Sequence, residues 1–183
     1  MPDSTYADRL MADPTRSEQI VHGSVSLNRT FDIAPGVVFA AFATPDLRSA
    51  WFRIPGTTER LLDFRVGGGE TVIASSDVSG RVELVEYHSR FVEIEPGRRV
   101  VHQYESAVDG RRHAIALVTV ELAERGTGTM LTYTDQHVLY VHAGGADRRT
   151  TVAHHEGAIR LQLNGLAATL RTLSPEPPDL VGS

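Results

Sequence analysis

The chain has 183 residues, 41% of them hydrophobic, with a formal charge of −5 and no cysteine. That length suits one domain with a real core, and the acidic balance speaks against the concentrated positive face that phosphate backbones need, so no nucleic acid is expected as a partner. Without cysteine there are no disulfides, thiolate nucleophiles or cysteine-ligated zinc, which fits a reducing cytoplasm; all 18 basic residues are arginine, which removes lysine Schiff bases and lysine-anchored pyridoxal cofactors.

Residues 1–22 are polar and read as a flexible arm, with no apolar run long enough for a signal peptide or a membrane span, so a cytoplasmic protein is expected. Ser24 to Asp32 alternates Val25, Leu27 and Arg29 with polar partners and ends beside Phe31, the period of a strand. Pro35 suits a first helical turn, and Val38, Phe39 and Phe42 supply the apolar stripe of a short helix that stops near Thr44-Pro45. A second short helix is predicted from Asp46, a candidate N-cap, through Leu47 to Trp51.

From Glu59 onward the pattern is strands and turns. Strands are predicted over Leu61–Val66, Thr71–Ser75, Val82–Ile94, Arg99–Ser106, His113–Leu122 and Thr129–Leu139. Gly67-Gly68-Gly69, Pro96-Gly97, Asp109-Gly110 and Gly126-Thr127-Gly128 separate them with residues that suit tight reversal. An antiparallel meander follows. Val152, His155, Glu156, Ile159, Leu163, Leu166 and Leu170 then share one face at the 3.6-residue period, which predicts a long amphipathic helix. Residues 174–183, with Pro175, Pro177 and Pro178, read as a loose tail, leaving one folded unit over 23–173. The expected class is α+β: a curved antiparallel seven-stranded sheet, two short helices and one long C-terminal helix, with room for a ligand between helix and sheet.

That order is the START-like helix-grip order, and local strings strengthen the match. Phe31-Asp32-Ile33-Ala34-Pro35 with Val37 to Phe42, Pro45-Asp46-Leu47, Trp51-Phe52, Asp63 to Gly69, Val92 to Pro96 with Arg99-Val100-Val101, and Leu166 to Leu170 resemble the family named for the activator of heat-shock protein 90 ATPase, over roughly residues 24–171. The resemblance implies the fold, and its wider superfamily includes lipid carriers, polyketide cyclases and hormone receptors, so it does not by itself imply an activity. The family often carries a Gly-Trp pair early in the last helix where this chain has Ala158 and Ile159, which implies a differently shaped cavity.

Period two carries Leu131 and Tyr133 inward and would carry Asp135 and His137 with them, while His102 and Tyr104 share a face of their own strand. Together with His155, Glu156 and Ile159 on the apolar helix face, and Trp51 near the expected cavity mouth, these residues form the candidate ligand-binding set. The alternative is that Asp135 and His137 end their strand in solvent and that His155 and Glu156 lie past the sheet edge.

No metal site is expected, because His154 and His155 diverge by about 100° on a helix and no tight ligand spacing occurs. No cofactor is expected either, since Gly67 to Gly69 lacks the ending of a phosphate loop and no Gly-x-Ser-x-Gly elbow is present. Three functions follow as expectations: a binder of a small apolar molecule, a cyclase or dehydratase that moves a proton through His137 or His155 with Asp135 or Glu156, and a co-chaperone-like interaction module. Ile115 and Leu117 alternate with Ala114, Ala116, Val118 and Val120, so this strand is apolar on both faces and a homodimer contact is the simplest use of it.

Overall fold

The computed structural model describes residues 19–78, 81–142 and 145–173. The expected tail and the first 18 residues of the expected arm lie outside them. The elements in chain order are β1 (Gln19–Phe31), α1 (Pro35–Ala43), α2 (Pro45–Trp51), β2 (Thr57–Leu62), β3 (Glu70–Val78), β4 (Arg81–Glu95), β5 (Arg99–Val108), β6 (Arg111–Arg125), β7 (Gly128–Val141) and α3 (Arg148–Arg171). Among the described residues, seven strands form one antiparallel sheet in the order β1-β7-β6-β5-β4-β3-β2. This is the α+β, helix-grip arrangement expected from the sequence.

Three local expectations need correction. β1 starts at Gln19 rather than Ser24, because its register with β7 runs on from Val25↔Asp135 to Gln19↔Val141 and satisfies the backbone of the supposed arm. β2 covers Thr57–Leu62, not Leu61–Val66: Asp63 N donates to Gly69 O and Gly68 N to Arg65 O, so Asp63 to Gly69 is a hydrogen-bonded loop. In the second helix Thr44, not Asp46, holds the N-cap position, without a capping hydrogen bond from its side chain; Pro45 opens the first turn and Asp46 sits inside it.

α3 is N-capped by Asp147, whose carboxylate accepts from Thr150 N at 2.8 Å. Its buried face is Thr151, His155, Ile159, Leu163, Leu166 and Leu170. Burial of the four aliphatic side chains stabilises the helix on the sheet by about 1.5–3 kcal/mol each. Gly165 lets it approach α2 closely, since a Cβ there would stand 2.9 Å from Trp51 O. On β7, Leu131, Tyr133, Asp135, His137, Leu139 and Val141 are all buried, so the apolar alternation does carry Asp135 and His137 inside.

Bulges at Phe91/Glu93 and Ser106/Ala107 interrupt the ladders, and such irregularities bend a sheet. The second bulge leaves His113 between Ala114, which pairs with Ser106, and Arg112, which pairs with Ala107. On the outer face, Ile115 and Leu117 are 36% and 40% exposed while Ala114, Ala116, Val118 and Val120 are buried, so β6 is apolar on both faces as its sequence indicates. No helix among the described residues is long and apolar enough to cross a membrane.

Candidate ligand-binding cavity and its polar lining

Between the inner sheet face, the two short helices and the first half of α3 lies a cavity of about 420 Å³. Its aromatic wall is continuous. Phe42 meets Trp51 with ring centroids 5.0 Å apart, Phe52 meets Tyr87 at 5.0 Å and Tyr87 meets Tyr104 at 5.2 Å. The Trp51 indole is fixed by donating to Ala41 O at 2.7 Å, so it forms a rigid part of the wall.

Of the nine residues singled out by sequence, Trp51, His102, Tyr104, Tyr133, His155 and Ile159 line this cavity. Asp135 and His137 stand behind it, fully or almost fully buried, and touch it through their partners. Glu156 is half-buried and absent from the lining. One position after His155, its Cβ is rotated about 100° around the helix axis, away from the cavity direction.

Asp135, 0% exposed, is the hub. One carboxylate oxygen lies 2.7 Å from His137 Nδ1 and 3.1 Å from His155 Nε2, and the other accepts from the Tyr104 hydroxyl at 3.2 Å. Burial pushes the Asp135 carboxyl up, but the hydrogen bonds and charge of His155, then of His137, outweigh it and hold the group below the usual carboxylate range. An ionised carboxylate can only accept, so both facing ring nitrogens carry protons. Gly23 on β1 makes the space: a Cβ there would come within 2.4 Å of His137 Nε2.

Burial, then the charge of Asp135, raises the Tyr104 phenol, and burial likewise raises Tyr87 and Tyr133, so all three remain protonated donors. His102 is pushed down to about 3 by burial first and by Arg48 second, against an opposing pull from Asp135. It is therefore a neutral imidazole at any ordinary pH.

Several lining residues had no sequence signal or a misleading one. Arg48 stacks on Trp51 and Phe52, 4.5 and 4.2 Å from their ring centres, and its guanidinium lies 2.8 Å from Glu70, which also accepts from Arg60. Nothing in the local sequence separates that arginine from a surface one. Val85 and Tyr87 also line the cavity, on a strand where the intervening Glu86 is buried as well, so period two alone does not single them out. His113 reaches the lining beside a bulge, which strict alternation cannot foresee. His154, on the exposed side of His155, contributes to the rim.

Against the expectation of no metal site, the potential ligand atoms of Asp135, His137 and His155 all lie within 4.8 Å of one another. The spacing test fails to find them because they come from β7 and α3. The bonding around them favours a hydrogen-bonded cluster, however, since a metal-bound histidine donates its other nitrogen to a second partner, and His137 Nε2 is buried without one among the described residues.

With the fold and the cavity in view, comparison with known proteins gives a consistent result. The Activator of Hsp90 ATPase homolog 1-like family matches residues 32–171. Solved structures similar to this chain include an uncharacterized protein from Rhizobium leguminosarum, 25% identical with a TM-score of 0.75, over 85% of this chain and 99% of that one. A protein from Rhizobium loti is 32% identical with a TM-score of 0.70, over 82% and 99%. A protein of the dynemicin biosynthetic locus shares the fold at 18% identity and a TM-score of 0.58, over 85% of this chain and 50% of that one. No curated protein matches the chain.

Proposed function

The chain belongs to the Activator of Hsp90 ATPase homolog 1-like family, and from that premise we propose that it is a START-like binding domain for a small, largely apolar molecule held between the sheet and α3. The observation that carries this reading is the cavity of about 420 Å³, walled by aromatic rings yet carrying a few polar heads. A concave apolar site with sparse, convergent polar groups is what small-molecule recognition requires. Ala158 and Ile159, which stand where relatives often carry glycine and tryptophan, both line it. The volume at these two positions therefore sets which ligands fit.

The test is native mass spectrometry of the purified chain, followed by solvent extraction of whatever remained bound. A stoichiometric apolar compound supports the reading. A clean apo mass, with no thermal stabilisation by a panel of apolar ligands, defeats it and returns the weight to a protein-interaction module.

One observation favours a second reading, a proton-transferring enzyme of the cyclase or dehydratase kind. Asp135 fixes His155 from behind while His155 faces the cavity, an orienter and base arrangement. Exchange of deuterium into the carbon next to a bound ketone, lost on His155→Leu, would support it; unchanged exchange in that variant would remove it.

A further inference from the structure

Three charged side chains on one flank of the cavity do not balance. Arg48 and Arg60 share the carboxylate of Glu70: Arg48 Nε and Nη2 lie 2.9 and 2.8 Å from Glu70 Oε2, and Arg60 Nη1 donates to Oε1. The Glu70 side chain is fully buried, while those of Arg48 and Arg60 are 6% and 15% exposed. Neither arginine pairs with a second carboxylate among the described residues. Arginine keeps its proton in proteins, so two cations against one anion leave a single positive charge in excess.

That excess borders the ligand space at Arg48, which lines the cavity and not the neighbouring cleft of Ser49, Arg53 and Arg60. Its guanidinium rests against the rings of Trp51 and Phe52, two further residues of the cavity wall, and Glu70 takes up the edge formed by Nε and Nη2. Nη1 is left with two N–H groups that meet no described residue, and the atom is not sealed from outside contact. Arg60 differs, since its Nη2 donates to Phe52 O at 2.6 Å. The charge also acts across the wall. Beyond burial, the largest influence on each group, Arg48 acts on His102 and Tyr87 more strongly than Asp135 does, whereas Asp135 leads at Tyr104 and Tyr133.

We propose, building on the ligand-binding reading above, that the cavity takes an apolar carboxylic acid, whose carboxylate accepts from Arg48 Nη1 while its hydrocarbon body lies against the aromatic wall. A buried cation with idle donors is costly, and an anion that meets them forms charge-assisted hydrogen bonds out of water, where such bonds are strongest. A monoanion matches the single excess charge, whereas a dianionic phosphate would exceed it in a cavity that also has the ionised Asp135 behind its wall. Glu70 and the two rings hold the guanidinium in place, so the donor is positioned before the ligand arrives.

The experiment is a calorimetric titration of the full chain, near neutral pH, with three probes that share one apolar body and differ in head charge: 2-naphthoic acid, 2-naphthamide and 2-naphthylmethylamine. The naphthoate anion is expected to bind about tenfold to hundredfold more tightly than the neutral amide, the size of a hydrogen bond to a charged group, and the cationic amine most weakly. Arg48→Met leaves Glu70 paired with Arg60 alone and should bring acid and amide to equal affinity, with the amide bound about as in wild type. An acid preference that survives in that variant overturns the assignment to Arg48. If the variant fails to fold, the wild-type ratios decide. Equal affinity of wild type for all three probes, or tighter binding of the amine, overturns the inference and leaves the binding cavity intact, while no binding of any of them takes down both.

Discussion

A buried histidine held neutral makes stability depend on pH in a window that can be worked out in advance. His102 is 5% exposed and pushed down to about 3, against about 6.5 for the unfolded chain. With a folded value below the unfolded one, its contribution is fully present above about pH 6.5 and is lost as pH falls toward the folded value, because the unfolded state takes up the proton first. Between about pH 7 and pH 5 the loss comes to about 2 kcal/mol, at 1.36 kcal/mol per unit below 6.5. His113, also lowered by burial, acts in the same direction, so the diagnostic quantity is a difference between two proteins. Urea unfolding at a series of pH values should give wild type a steeper decline than His102→Phe, the gap closing by about 2 kcal/mol at pH 5 relative to pH 7. Parallel declines in the two proteins would refute the assignment of a neutral buried imidazole.

Three further outcomes test other parts of the site. Ile159→Trp should extend from the buried face of α3 into the cavity and abolish binding of the apolar ligands that stabilise wild type, with a melting temperature near that of wild type; a loss of about 1–3 kcal/mol by chemical denaturation would mean the surrounding core cannot accommodate the indole. Glu70→Gln leaves Arg48 and Arg60 buried without their shared carboxylate and should cost about 3–5 kcal/mol in urea unfolding; a neutral result would show that the stacking on Trp51 and Phe52 suffices to hold Arg48. Zinc titration followed by thermal melting should leave stability unmoved if Asp135, His137 and His155 form a hydrogen-bonded cluster, whereas a saturable rise would make them a metal centre.

The alternation of β7 was enough to place Asp135 and His137 inside, and the period of α3 was enough to place His155 and Ile159 on the buried face. Glu156 shows the limit of the same argument: a stripe drawn wide enough to hold both His155 and its neighbour overstates the face that actually reaches the cavity. Arg48 was illegible for another reason. Its burial depends on Glu70, 22 positions away, and no local pattern encodes such a partner. His113 lies beside a bulge, and a bulge is an exception to the very period used to read strands. The metal-capable geometry likewise joins β7 to α3 and is invisible to ligand spacing along the chain.

The pairing of β1 with β7 bears on how the domain comes together. Ser26 and Thr134, whose hydroxyls lie 3.1 Å apart, are 108 positions apart in the chain, so the first strand waits for almost the whole sequence before it finds its partner. Closure of so long a loop costs entropy before any contact rewards it, which slows folding and delays that strand. Gly23 on β1 packs against the His137 ring, and α3 brings His155 from further along still. The hydrogen-bonded centre behind the cavity is thus completed only when both β1 and α3 have docked, and a chain lacking either element should retain a meander of middle strands with no formed site.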